Sequence, residues 1–151
     1  MFKMYKELLK KYFTQQDLDE IAKAISEQEQ FTSGEIRVSI RAKRGWTEQK
    51  NSLQELALKE FYRLKMNQTK ERSGVLLFFL FEEHQFYILA DEGIHLKAES
   101  LWQSVAQFVS ENFKAGKYVE GISQAVRTIG KTLGQHYPRK TDDTNELSNQ
   151  V

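Results

Sequence analysis

Residues 72–93 read RSGVLLFFLFEEHQFYILADEG, and this stretch limits the fold more than any other. Val75–Phe81 is apolar at every position, so neither face of the segment can look at water. A helix is the rival reading, but the run of seven is short and is bounded by Gly74 and Glu82-Glu83. It suits a central strand covered on both sides. Glu83-His84 then marks a hairpin tip. Phe86–Leu89 reads as a second strand, which ends at Asp91-Glu92-Gly93.

The rest of the chain supplies what such a sheet needs. Ile36, Val38 and Ile40 alternate with Glu35, Arg37, Ser39 and Arg41, the period of a strand with one polar face. Helical spacing links Phe2, Tyr5, Leu8, Leu9 and Tyr12, and then Leu18, Ile21, Ala22 and Ile25, with a break near Phe13-Thr14. Thr14 and Asp17 stand as N-cap and capping-box partner of the second of these helices, which runs to about Glu29. A helix is expected from Thr47 to Lys65. Two more follow, one carrying Leu101 to Phe113 and stopped at Ala115-Gly116, the other spanning Tyr118 to His136. Gly116 and Gly121 read as backbone requirements.

The expected architecture is α/β, a three-layer α/β/α sandwich with a small mixed β-sheet flanked by helices, in the order α-α-β-α-β-β-α-α. Residues 1–138 form one domain, and the polar stretch 139–151 is expected to be a disordered tail.

This topology fixes which residues meet. A strand–helix–strand unit makes the first two strands parallel, and the hairpin makes the third antiparallel. The end of the third strand then lies beside the starts of the other two. Asp91 and Glu92 approach Glu35 and Arg72-Ser73-Gly74 at one rim. Glu35, Asp91 and Glu92 form a candidate set of metal ligands, with Thr69, Arg72 and Ser73 as possible supporting residues. Oxygen donors of this kind suit Ca²⁺ or Mg²⁺. Arg72 and Arg37 are alternative partners for the same carboxylates. In the competing reading Asp91 caps the next turn and Glu92 faces water. The opposite rim carries Arg41, Lys43, Arg44, Glu82, Glu83 and His84, with Trp46 as a stacking surface, and reads as a solvated loop of mixed charge.

Several functions are excluded or disfavoured. The chain has no cysteine, which removes disulfides, thiolate catalysis and Cys-ligated zinc. Its net charge of +1 argues against nucleic-acid binding. No stretch resembles a signal peptide or a membrane span, so a soluble, cytoplasmic monomer is expected. His84, His95 and His136 lack metal-ligand spacing. Ser33 lies in Thr-Ser-Gly-Glu rather than in a GxSxG elbow, and no phosphate-binding glycine loop is present.

Thr32–Val38, Met66…Thr69…Arg72–Leu76, Asp91–Ile94, Phe113…Gly116…Tyr118…Gly121 and Gly130…Leu133 form an ordered set of pieces. In these the chain resembles the TPM-domain family, whose members include a thylakoid-lumen acid phosphatase, a photosystem II repair factor and a receptor modulator. The resemblance implies an α/β/α sandwich and a divalent-cation site, usually discussed as calcium. Family acidic positions map onto Glu35, Asp91 and Glu92. In some members it also implies weak phosphatase activity. Three functions stay open: a cation-binding interaction or regulatory module with an unknown protein partner, a metal-assisted phosphomonoesterase, and a metal-independent structural adaptor.

Overall fold

A computed structural model describes residues 9–95 and 99–139. The helix expected before Phe13 lies largely outside the described residues, and so do 140–151 of the expected tail. The elements are α1 (Gln15–Gln28), β1 (Ile36–Arg41), α2 (Leu53–Arg63), β2 (Val75–Leu80), β3 (Gln85–Ala90), α3 (Glu99–Lys114) and α4 (Tyr118–His136). The sheet order is β1-β2-β3, with β1 parallel and β3 antiparallel to β2. This is the expected mixed sheet, and β2 is buried along its whole length.

Strand alternation splits β2 between two cores. Val75, Leu77 and Phe79 face α1, α3 and α4 across a cluster that includes Ile21, Ile25, Val109, Ile122, Val126 and Ile129. Leu76, Phe78 and Leu80 face α2 through Leu56, Ala57, Phe61 and Met66. Three helices, a sheet and one helix make the three layers. Among the described residues, no helix is long and apolar enough to cross a membrane.

The helix ends follow local chemistry. Asp17 donates its N–H to Thr14 Oγ1 at 3.1 Å, and Thr14 donates its N–H to Asp17 Oδ2 at 2.8 Å, a closed capping box. Thr14→Ala should therefore cost about 1 kcal/mol, read as a lower denaturant midpoint at unchanged slope. Gly116 ends α3 at φ +74°.

The start of α2 differs from the sequence reading. Trp46–Glu48 forms a separate 3₁₀ turn, and α2 begins only at Leu53. Its N-cap is Ser52, whose hydroxyl accepts the Glu55 N–H at 3.1 Å. The expected Thr47–Lys65 helix thus fuses a 3₁₀ turn with a true helix. The reason is that Glu48 uses its side chain to cap the turn, accepting the Gly45 N–H at 2.8 Å.

Candidate functional site

The row Ile36–Val75–Ala90 crosses all three strands. One step outward lies the row Glu35–Gly74–Asp91, held by Val75 N–H to Glu35 O at 2.9 Å and Asp91 N–H to Gly74 O at 2.8 Å. The topology therefore brings together segments that are far apart in sequence. Glu35 and Asp91 share the sheet face covered by α2, since Ile36 and Ala90 beside them point to the other core. Between them Gly74 has no side chain. A Cβ there would lie 3.2 Å from the Met66 carbonyl oxygen, so the 66–69 turn closes directly over the row.

Glu35, Thr69, Ser73 and Asp91 are all buried. Glu92 is not, since its side chain is 73 % exposed. Arg72 is the residue that organises the rim. It donates Nε–H to Asp91 Oδ2 at 2.9 Å and Nη2–H to Asp91 Oδ1 at 3.1 Å, the two-pronged geometry of a strong guanidinium–carboxylate pair. Its Nη1 lies 3.4 Å from Glu92 Oε1. Asp91 Oδ1 also accepts the Glu92 N–H at 2.8 Å. The hydrogen bonds that Arg72 donates to Asp91, with the carboxylate's negative charge, hold the Arg72 pKa above its ordinary value. Arg72 itself sits at φ +52°, a left-handed conformation that its neighbours must enforce.

The backbone around the carboxylates is tightly closed. Asp91 O accepts the N–H groups of Ile94 and His95, and Gly93 donates to Arg72 O at 2.8 Å. The Tyr137 hydroxyl donates to Gly93 O. Tyr137 O in turn accepts from Ser33 N–H at 3.0 Å and from Thr32 Oγ1 at 2.5 Å. The end of α4 thus ties the Asp91 turn to the entry of β1. Sequence reasoning missed this role of Tyr137. The only local signal was Pro138, which ends the helix and bridges to Thr32.

Two buried polar atoms near the rim lack partners. Thr69 Oγ1 has none, and neither does Arg37 Nε, one step along β1 from Glu35 on the same face. Burial lowers the Arg37 pKa, and the nearby positive charge of Arg63 lowers it further, while Glu60 and Glu35 oppose the shift. Among the described residues, no group of three or more His, Asp or Glu side chains stands in position to hold a metal ion.

The opposite rim is a closed charge network rather than a loose, solvated loop. Glu48 accepts from Arg41 Nη2 at 2.6 Å and Nη1 at 3.3 Å, and Lys59 Nζ lies at 3.4 Å. Arg44 pairs with Glu83 at 2.7 Å and also donates to the carbonyls of Glu48 and Asn51. The Arg41 hydrogen bond, with help from the Gly45 N–H, holds the Glu48 carboxyl down at about 2 against the penalty of burial. Trp46 stands exposed beside this network.

A family model described as the TPM domain matches residues 9–132. The chain is also similar to the BA42 protein of the psychrophilic bacterium Bizionia argentinensis, solved by NMR. The two are 30 % identical, with a TM-score of 0.82 over 93 % of this chain and 94 % of that one. No curated protein matches.

Proposed function

The chain belongs to the TPM-domain family, and from that premise we propose that it is a binding module controlled by a divalent cation, Ca²⁺ or Mg²⁺, at the Glu35–Asp91–Glu92 rim. The observation that supports this reading is the position of Arg72. Two carboxylates at one sheet edge share a single guanidinium whose side chain is 44 % exposed. A rim built to hold positive charge, beside the unpartnered hydroxyl of Thr69, has the hard-oxygen chemistry that such cations take.

The present pairing leaves Asp91 saturated, because both of its oxygens accept from Arg72. A cation and the Arg72 guanidinium therefore compete for the same carboxylate. The cation would supply charge to fix the Asp91–Ile94 turn, and Arg72, released, would be offered to a protein partner. A phosphomonoesterase would need in addition a nucleophile or proton donor at the rim. The hydroxyls there belong to Thr69 and Ser73, both buried, so the binding module is the better reading.

The test is a titration of chelator-treated protein with Ca²⁺ and then Mg²⁺, followed by backbone amide shifts. Saturable shifts are expected at Glu35, Gly74 and Asp91–Ile94. Asp91→Asn with Glu92→Gln should abolish them. Arg72→Gln should tighten binding by about tenfold, the effect of removing one competing positive charge a few ångströms away. No localised shift at millimolar cation in either the natural chain or Arg72→Gln would refute the proposal and favour the metal-independent adaptor.

A further inference from the structure

At the other end of the sheet, beyond the C-terminal end of β2, the hairpin tip and the α3–α4 junction enclose a cavity of about 280 Å³. Phe81, Phe86, Phe113 and Tyr118 line it. Ring-to-ring contacts hold these walls. Phe113 stacks on Phe79 at 5.4 Å and meets Tyr118 edge-on at 5.3 Å, while Phe81 meets Tyr118 edge-on at 4.9 Å. Phe86, Phe113 and Tyr118 nevertheless stay partly exposed. Three partly exposed rings around one opening, over the buried ring of Phe81, leave apolar area uncovered where further packing would have removed it.

Lys114 supplies the charge at the opening, beside the polar side chains of His84 and Gln85, and no acidic side chain lines the cavity. Among the described residues Lys114 has no carboxylate within salt-bridge distance, whereas Arg41, Arg44, Arg63 and Arg72 all have one. Ser110 adds a hydroxyl beside it on α3. From this we propose that the cavity binds a small aromatic carboxylate, its ring between the four side chains and its carboxylate on Lys114. The volume lies just below the roughly 300–1,000 Å³ of pockets for drug-sized ligands, which restricts the occupant to one or two rings. One lysine balances one negative charge, which disfavours a nucleotide. This site is separate from the Asp91 rim and does not depend on the cation proposal.

The experiment is a titration of the full chain with 1-naphthoate, and with its neutral analogue 1-naphthalenemethanol, followed by amide and aromatic NMR shifts. Naphthoate should give saturable shifts at Phe86, Ser110, Phe113, Lys114 and Tyr118. Lys114→Met should weaken naphthoate by about fivefold, the size of one partly exposed ion pair, and leave the neutral analogue unchanged. Ser110→Leu, at a half-buried position on α3, should plug the opening and abolish both. Scattered or absent shifts in the natural chain would overturn the proposal. So would an equal loss of acid and alcohol in Lys114→Met, or full binding in Ser110→Leu with its amide spectrum otherwise intact.

Discussion

Gly93→Ala is expected to cost about 3 kcal/mol, well above the cost of Gly116→Ala, although both change a glycine in a turn. At Gly93 the added Cβ would lie against the carbonyl oxygens of Glu71 and Arg72, 2.5 Å from the latter and 2.9 Å from the Arg72 carbonyl carbon. These are backbone atoms, so no side chain can swing away. The 71–72 turn must shift, and it carries Arg72, whose two prongs hold Asp91. The same shift strains the Gly93 N–H bond to Arg72 O and the Tyr137 hydroxyl bond to Gly93 O. Overpacking alone costs about 1–3 kcal/mol, and each weakened hydrogen bond adds about 1. Gly116 meets a different requirement. Its φ of +74° disfavours a side chain, but nothing lies within 4 Å of its missing Cβ. An alanine there costs about 1–2 kcal/mol for the left-handed backbone, offset in part by a less flexible unfolded chain. Denaturant unfolding of the two variants measures the difference. Equal losses would mean that the Asp91 turn relaxes freely, and the rim would then be much less rigid than its hydrogen bonds imply.

What could be read from the sequence was whatever a short window determines. β2 declared itself because both of its faces are buried, so the run Val75–Phe81 needed no knowledge of partners, although the strand ends at Leu80 and Phe81 opens the 3₁₀ turn Phe81–Glu83. β1 showed the alternation of a half-buried strand, and Thr14 with Asp17 gave a cap from side chains three residues apart. The convergence of Glu35 and Asp91 also followed, because parallel and antiparallel pairing leave no other place for them. The pairing between Arg72 and Asp91 was one of two open possibilities, since side-chain direction at a rim depends on the left-handed backbone of Arg72. Other features depend on distant packing. The Glu48 network joins a strand end, a 3₁₀ turn and a helix face. The aromatic cavity draws Phe81, Phe86, Phe113 and Tyr118 from three regions, each of which looks like ordinary core residues at helical or strand spacing.

Acid should destabilise the protein through Glu48 in particular. In the unfolded chain its carboxyl titrates near 4.5, and in the fold it is held at about 2, first by the Arg41 hydrogen bond and then by the Gly45 N–H. Folding therefore favours the ionised form. That contribution is complete above about pH 5. It falls as the unfolded chain takes up a proton that the folded protein does not bind, and it is gone below about pH 2. A shift of this size is worth about 3 kcal/mol at neutral pH, and about 2 of these are lost by pH 3. The Glu48 side chain is only 10 % exposed, so solvent screens little of it. Glu48→Gln keeps the shape but removes the charge, leaving Arg41 in its half-buried place without a counter-ion. At pH 7 the variant should be less stable by about 2–3 kcal/mol, and at pH 3 the gap should narrow to about 1, because the natural chain has by then lost most of what the variant lacks. Urea midpoints at the two pH values give the result. A gap that stays constant with pH would assign the role of Glu48 to packing of the 3₁₀ turn. A gap that closes would show that ionic pairing secures this rim, which borders the hairpin tip and the aromatic cavity beside it.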